Sequence, residues 1–264
     1  MSDPMQNLEA LSSLARRTAA EAADLVRTMR AETVDVAGTK SSATDVVTRA
    51  DLASEALIRE RLLGERPTDG FIGEEGDDIV SASGVTWVVD PIDGTVNYLY
   101  GIPQYAVSIA AQVDGETVVG VVRAPVLAQE FWAIRGAVAF EADTALQATD
   151  DLDLSSALVA TGFGYEATIR RQQARATAAL LPEVRDIRRM GSCALDICAV
   201  AQGTVDAYVE TGPRLWDHAA ASLIAEEAGA RFAVERSASG RDLLMCAGRG
   251  SFADFEALVR RCEF

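Results

Sequence analysis

One stretch, residues 85 to 98, constrains this chain more than any other. It reads Val-Thr-Trp-Val-Val-Asp-Pro-Ile-Asp-Gly-Thr-Val-Asn-Tyr. A short apolar run with β-branched residues has the signature of a buried strand. Pro91 lacks a backbone donor, and Gly94 can enter turn geometry closed to other residues. The expectation is a strand that stops near Asp90 and delivers two carboxylates, Asp90 and Asp93, into a tight turn. The rest of the sequence is then read for what else converges on that turn.

The chain bounds the answer from outside. Its 264 residues are 49% hydrophobic, enough for one large domain or two lobes sharing a core. The net charge of −16, with Lys40 as the single lysine, argues against nucleic acid as a partner, since such binding rests on clustered Lys and Arg. An acidic chain that handles phosphate needs metal cations to offset repulsion. Cys193, Cys198, Cys246 and Cys262 show no CxxC or Cys/His zinc spacing and suit reduced thiols in a cytoplasmic protein. No signal peptide is legible near the start, and no apolar run reaches the length of a membrane span.

Taken in order, Asp3-Pro4 predicts a helix start, and Leu8, Leu11, Ala15, Ala19, Ala22, Val26 and Met29 give that helix one apolar face. A second helical pattern begins at Asp45 and ends before Pro67, with Thr48 and Asp51 one turn apart. Phe71-Ile72-Gly73 is a short strand running into Glu74-Glu75. Asp114-Gly115, between Ala106–Val113 and Glu116–Arg123, predicts a hairpin. Further strands are expected over 130–135 and 137–141. Periodicity is lost between Glu141 and Ser156, which places a lobe boundary near 145 and divides the chain into 1–145 and 146–264. Strands and helices then alternate to the end, the pattern of an α/β lobe with a covered sheet.

Asp90 and Asp93 offer hard oxygen donors with no His or Cys nearby, a set that favours Mg²⁺ over zinc or copper. Gly94 and the N–H groups opening a helix at Thr95 are suited to a phosphate oxygen. Here the sequence resembles the inositol monophosphatase family. The matching segments are Lys40 to Asp51 (KSSATDVVTRAD), Gly73-Glu74-Glu75, Trp87 to Tyr98 (WVVDPIDGTVNY), Gly191-Ser192, and Trp216-Asp217 through Gly229, in family order across nearly the whole chain.

The resemblance implies a layered αβαβα sandwich of α/β (α+β) class, usually a homodimer, and a phosphate monoester hydrolase using two or three Mg²⁺ ions. It implies that Glu74, Asp90 and the Ile92 carbonyl hold one ion, that Asp90, Asp93 and Asp217 hold a second, and that Glu74 reaches a third through water. Thr95 paired with Asp51 matches the group activating the attacking water, with Glu74 also counted as catalytic. Gly94 and Thr95 match the phosphate-binding backbone, and Lys40 lies on the family's mobile loop. Asp93, Gly191, Ser192, Cys193 and Glu210 match substrate contacts, with Cys193 where alanine is common and Tyr98 where phenylalanine is common. Asp217 has a second reading as a helix-start acid. His218, the single histidine, is expected to be structural or exposed.

The expected substrate is myo-inositol 1-phosphate. Histidinol phosphate or a sugar phosphate is the rival within the fold. A non-catalytic regulatory protein is the rival outside it, and it would show as loss of a metal ligand or of Thr95.

Overall fold

The computed structural model describes residues 4–31, 36–39, 46–237 and 239–264. Asp3, Lys40 and Asp45 lie outside them. Leu11, Ala15, Ala19, Ala22 and Val26 are completely buried along one side of α1 (Pro4–Ala31), which their spacing predicts. β1 (Val36–Thr39) and β2 (Val46–Thr48) pair antiparallel and lead into α2 (Arg49–Glu65). The helical reading from Asp45 therefore starts too early. Thr48 is extended and caps α2: its hydroxyl accepts from the N–H groups of Ala50 and Asp51, while Asp51 Oδ2 accepts from the Thr48 N–H at 2.8 Å. Such a reciprocal cap satisfies donors that a helix start otherwise leaves open.

The first sheet contains β3 (Gly70–Gly73), β4 (Val85–Asp93), β5 (Ala106–Val113), β6 (Glu116–Ala124), β7 (Gln129–Ile134), β8 (Phe140–Glu141) and β9 (Thr144–Ala145), in that spatial order. A short helix, α3 (Thr95–Tyr100), follows β4. Only β3 and β4 run parallel; the rest form an antiparallel meander. Asp114 and Gly115 both have positive φ, 51° and 85°, as the hairpin reading requires. The strand expected over 137–141 shrinks to two residues, because the Ala137 N–H turns back onto the Ile134 carbonyl at Gly136.

The second sheet is built from β10 (Leu158–Thr161), β11 (Asp186–Arg188), β12 (Ala207–Thr211), β13 (Ala230–Arg236) and β14 (Asp242–Gly248), in spatial order β11-β10-β12-β14-β13. Between and after these strands come α4 (Ala167–Leu180), α5 (Cys193–Gln202), α6 (Leu215–Glu227) and α7 (Phe252–Arg261).

Alternation along the strands sorts all this into five layers. Trp87 and Val89 of β4 pack with α1 and α2, whereas Val88 packs with α5 and α6. In β12, Tyr208 joins the same middle core, whereas Ala207 and Val209 pack on the other side with α7. Successive strand side chains point to opposite faces, so each sheet serves two cores. The outcome is α1/α2, the first sheet, α5/α6, the second sheet, then α4/α7: the αβαβα sandwich. Both α5 and α6 begin beside the end of β4, which brings the two sheets' chemistry together.

Candidate active site

Asp90 and Asp93 are an odd number of residues apart, so a regular strand would send them to opposite faces. They share a face because β4 does not stop at Asp90 as expected. It continues through Pro91 to Asp93, with Asp90 opposite Ser108 and Asp93 opposite Ala106. Three steps on β4 thus match two on β5, the count of a β-bulge, where a proline without a ladder donor is tolerated. The bulge is held from outside by Ser54, whose hydroxyl donates to the Pro91 carbonyl at 3.1 Å, and from within by the Ile92 N–H, which donates to Asp90 Oδ1 at 3.0 Å. The turn proper is displaced to Gly94, with φ of 95°; a Cβ there would meet the Gln104 carbonyl at 2.9 Å.

Asp93 meets the start of α5. Its Oδ1 accepts from the Cys193 N–H at 3.2 Å, and its Oδ2 accepts from the Ala194 N–H at 2.7 Å and from the Ser192 hydroxyl. Open N–H groups and the helix dipole both favour a negative charge at this point. Burial nonetheless pushes the Asp93 carboxyl up to about 6, against the lowering by those donors. Asp217 sits in the first turn of α6, half-buried, accepting from the Arg214 N–H. The two readings of Asp217 are therefore not exclusive: it caps its helix, and one oxygen each from Asp90, Asp93 and Asp217 lie within 4.8 Å of one another.

Burial raises the Asp90 carboxyl well above its ordinary range, and Glu74, Asp93, Asp217 and Asp51 raise it further. The same holds for Asp217, lifted by burial and then by Glu74 and Asp93. Glu74 thus joins the cluster electrostatically. Glu75 acts on the neighbouring Asp51, whose carboxyl is raised to about 6, chiefly by burial and against the hydrogen bonds from Thr48. Asp51 is completely buried rather than facing solvent, and its Oδ1 lies 3.1 Å from Thr95 Oγ1. That hydroxyl is also 3.0 Å from the Ile92 carbonyl, and its one proton can serve only one of them at a time.

Farther along α5 and β12 lie the residues expected to meet substrate. Ser192 caps α5, and Cys193 is buried directly behind it. Glu210 is the last residue but one of β12, with Oε2 accepting from the Tyr208 hydroxyl at 2.9 Å; burial raises its carboxyl to about 7. Gly191 has φ of 96° and lies against Asn97, whose side-chain amide donates to the Gln104 and Met190 carbonyls at 2.7 and 2.8 Å. Asn97 therefore ties the turn after β4 to the approach to α5. A cavity of about 620 Å³ lies elsewhere, between α4 and the last residues of the chain, and none of these acids lines it.

The pattern that defines the inositol monophosphatase family matches residues 7–251. The chain belongs to that family. It is 45% identical over 273 residues to a Mycobacterium tuberculosis protein named inositol-1-monophosphatase SuhB, covering 96% of this chain and 94% of that one. A Pasteurella multocida relative named Nus factor SuhB is 39% identical, with 82% of each chain covered. The crystal structure of extragenic suppressor protein SuhB from Bartonella henselae superposes with a TM-score of 0.88 at 30% identity, over 96% of this chain and 99% of that one.

The residues present fit the metal ions of an inositol monophosphatase. Three carboxylate oxygens converge from β4 and α6, they raise one another's proton affinity, and their donor type is hard oxygen. The sequence alone assigns no role to four supporting groups, Ser54, Glu75, Asn97 and Tyr208, although Glu75 and Asn97 lie inside the matching segments. The Thr-x-x-Asp spacing at Thr48 and Asp51 was a capping signal that would have predicted the correct helix start. His218 is buried and stacks on Phe232 at 5.4 Å, a structural role.

Proposed function

We propose that this phosphatase hydrolyses phosphate monoesters with Mg²⁺ as cofactor, two or three ions per site, and that myo-inositol 1-phosphate is its preferred substrate. The observation that carries this reading is the convergence of Asp90, Asp93 and Asp217 beside buried Asp51 and its hydrogen bond from Thr95. Glu74, Asp90 and the Ile92 carbonyl would hold one ion, Asp90, Asp93 and Asp217 a second, and Glu74 a third through water. Bound there, Mg²⁺ supplies acidified water and offsets charge on the leaving oxygen.

The chain's own residues do the rest. Thr95 Oγ1 orients the attacking water and passes its proton to Asp51 Oδ1, while the hydroxyl takes one from the water. A carboxyl lifted to about 6 is a competent acceptor near neutral pH. The backbone N–H groups of Gly94 and Thr95 hold the phosphate, since a helix start leaves them without intrahelical partners. A carboxylate has about four lone-pair positions, and Asp93 already accepts three hydrogen bonds. Its remaining position, on Oδ1, is assigned to the metal ahead of a substrate hydroxyl. Substrate hydroxyls then fall to Glu210 and to the Gly191-Ser192-Cys193 segment.

A homodimer and a cytoplasmic location belong to the same reading. Tyr100 and Ile102 offer exposed apolar surface for self-association, and the four free cysteines suit a reducing compartment. The net charge of −16 weighs against nucleic acid. A second reading, in which the fold is kept for a macromolecular contact, is favoured by the Nus factor name of the Pasteurella relative. Retention of all the acids and of Thr95 weighs for catalysis.

The test is a panel of monoesters including inositol 1-phosphate, histidinol phosphate and a sugar phosphate, compared by kcat/KM with Mg²⁺ and after chelation. Inositol 1-phosphate is expected to lead, and chelation to abolish turnover. A clear lead for histidinol phosphate overturns the substrate, and activity undiminished by chelation overturns the mechanism.

A further inference from the structure

Glu210 is held with more care than a surface acid at a strand end needs. Tyr208 lies two residues earlier on β12, so its side chain and that of Glu210 share the face turned toward α5. The Tyr208 ring is completely buried, and its hydroxyl donates to Glu210 Oε2 at 2.9 Å. The same hydroxyl is 3.0 Å from Cys193 Sγ. With the tyrosine's single proton on the carboxylate, the thiol is the donor in that second contact.

The opposite side of Glu210 is closed by β10. A Cβ at Gly162 would stand 2.0 to 2.3 Å from the carboxyl atoms of Glu210, so the acid lies across a glycine because nothing larger leaves it room. The two strand ends are locked at that distance. The Thr161 hydroxyl donates to the Val209 carbonyl at 2.7 Å. Buried Gln173 of α4 accepts from the Gly164 N–H and donates to the Thr211 carbonyl, both at 2.9 Å.

We infer that Tyr208 and Gly162 are positioning residues that fix the Glu210 carboxylate in one rotamer and so determine which hydroxyl arrangement on a phosphate monoester the enzyme accepts. The inference rests on the reading of Glu210 as a substrate contact. Tyr208 touches no reacting atom; it acts through Glu210. A carboxylate held by one hydroxyl and one steric wall offers its remaining lone pairs in fixed directions, which a ring of hydroxyls can match and a flexible chain matches poorly.

The experiment measures KM and kcat separately for inositol 1-phosphate and for p-nitrophenyl phosphate, which carries no hydroxyls for Glu210. Tyr208→Phe keeps the buried ring and removes one charge-assisted hydrogen bond. It is expected to raise KM for inositol 1-phosphate about tenfold with kcat little changed, and so to lower the preference over p-nitrophenyl phosphate by a similar factor. Gly162→Ala reaches the same carboxylate by displacement rather than by loss of a hydroxyl, and is expected to lower that preference too. In a Glu210→Gln background, Tyr208→Phe is expected to add nothing.

Equal loss on both substrates would reduce Tyr208 to a core residue and overturn the inference. A fall in preference from Glu210→Gln, but from neither Tyr208→Phe nor Gly162→Ala, would overturn the positioning role alone. No change in preference from Glu210→Gln would overturn the substrate-contact reading, and the positioning role with it.

Discussion

Two strand ends bring acids to this site, and they are held in opposite ways. At the end of β4, a bulge turns Asp90 and Asp93 to one side, and Asp93 is gripped largely by backbone N–H groups at the start of α5. At the end of β12, Glu210 is gripped by a tyrosine hydroxyl and by the absence of a side chain at Gly162. Backbone donors are present whatever residues occupy the helix, so the first arrangement tolerates drift in its surroundings. The second depends on individual side chains, so single substitutions can retune it. Within one fold, the acids at the end of β4 are therefore the fixed part and Glu210 the adjustable part.

The largest expected effect is a break at β4. Asp93→Asn removes a converging charge and turns an amide toward donors that need an acceptor. Its kcat should fall by more than roughly a hundredfold, the upper figure for loss of an outer-shell partner alone, with the circular dichroism of the fold retained. Near-normal turnover would remove Asp93 from the cage.

A second expectation concerns the same acids without metal. Asp51 and Asp93 are raised to about 6, Glu210 to about 7, and Asp90 and Asp217 also upward, first of all by burial. The unfolded chain titrates near 4, so between these values the folded state holds more protons. The stability that Asp51, Asp93 and Glu210 contribute is complete below about pH 4 and is lost as pH rises through about 6 to 7, and Asp90 and Asp217 act in the same direction. His218, lowered to about 4 by burial, works in the other direction, as one group against these five acids and Asp196, which burial also raises. The Tm of chelated protein should rise as pH is lowered from about 7.5 to about 5 and rise less in Asp93→Asn, while Mg²⁺ should raise Tm at neutral pH. A Tm that falls with acid over that range, identically in both proteins, would mean that the β4 acids carry no uncompensated charge.

The smallest effect sharpens the contrast between the strand ends. Tyr98, just after β4, is also a buried tyrosine; its ring meets Tyr105 edge-on at 5.2 Å, and its hydroxyl donates to the Val26 carbonyl at 3.4 Å. That hydroxyl meets a neutral carbonyl at long range, so Tyr98→Phe should cost no more than about 0.5 kcal/mol of stability and leave substrate preference unchanged. A change in preference would show that selection extends to the β4 end.

What the sequence made legible followed from local periodicity and turn chemistry. The Asp114-Gly115 hairpin, the apolar side of α1 and the later alternation of strands and helices all depend on residues close in the chain. The β4 bulge is not legible in the sequence because Pro91 reads as a strand end, whereas a bulge accommodates it. Asp51 enters the site through the family resemblance alone, because its burial comes from α2 docking on β4 and not from its neighbours in sequence. Gly162 and Tyr208 gave no signal, since their significance lies in a contact between β10 and β12. Lys40 lies outside the described residues.

The middle helical layer carries a consequence for assembly. The meander of the first sheet joins sequence neighbours and can close early, as local contacts tend to. Asp217, however, arrives on α6, which packs between both sheets. A cation gripped by Asp90, Asp93 and Asp217 together therefore binds only a chain whose second half has already docked. Under the proposed function, occupancy of those acids would work as proofreading of assembly: it would favour the completed sandwich over any partly folded form in which the first sheet stands alone.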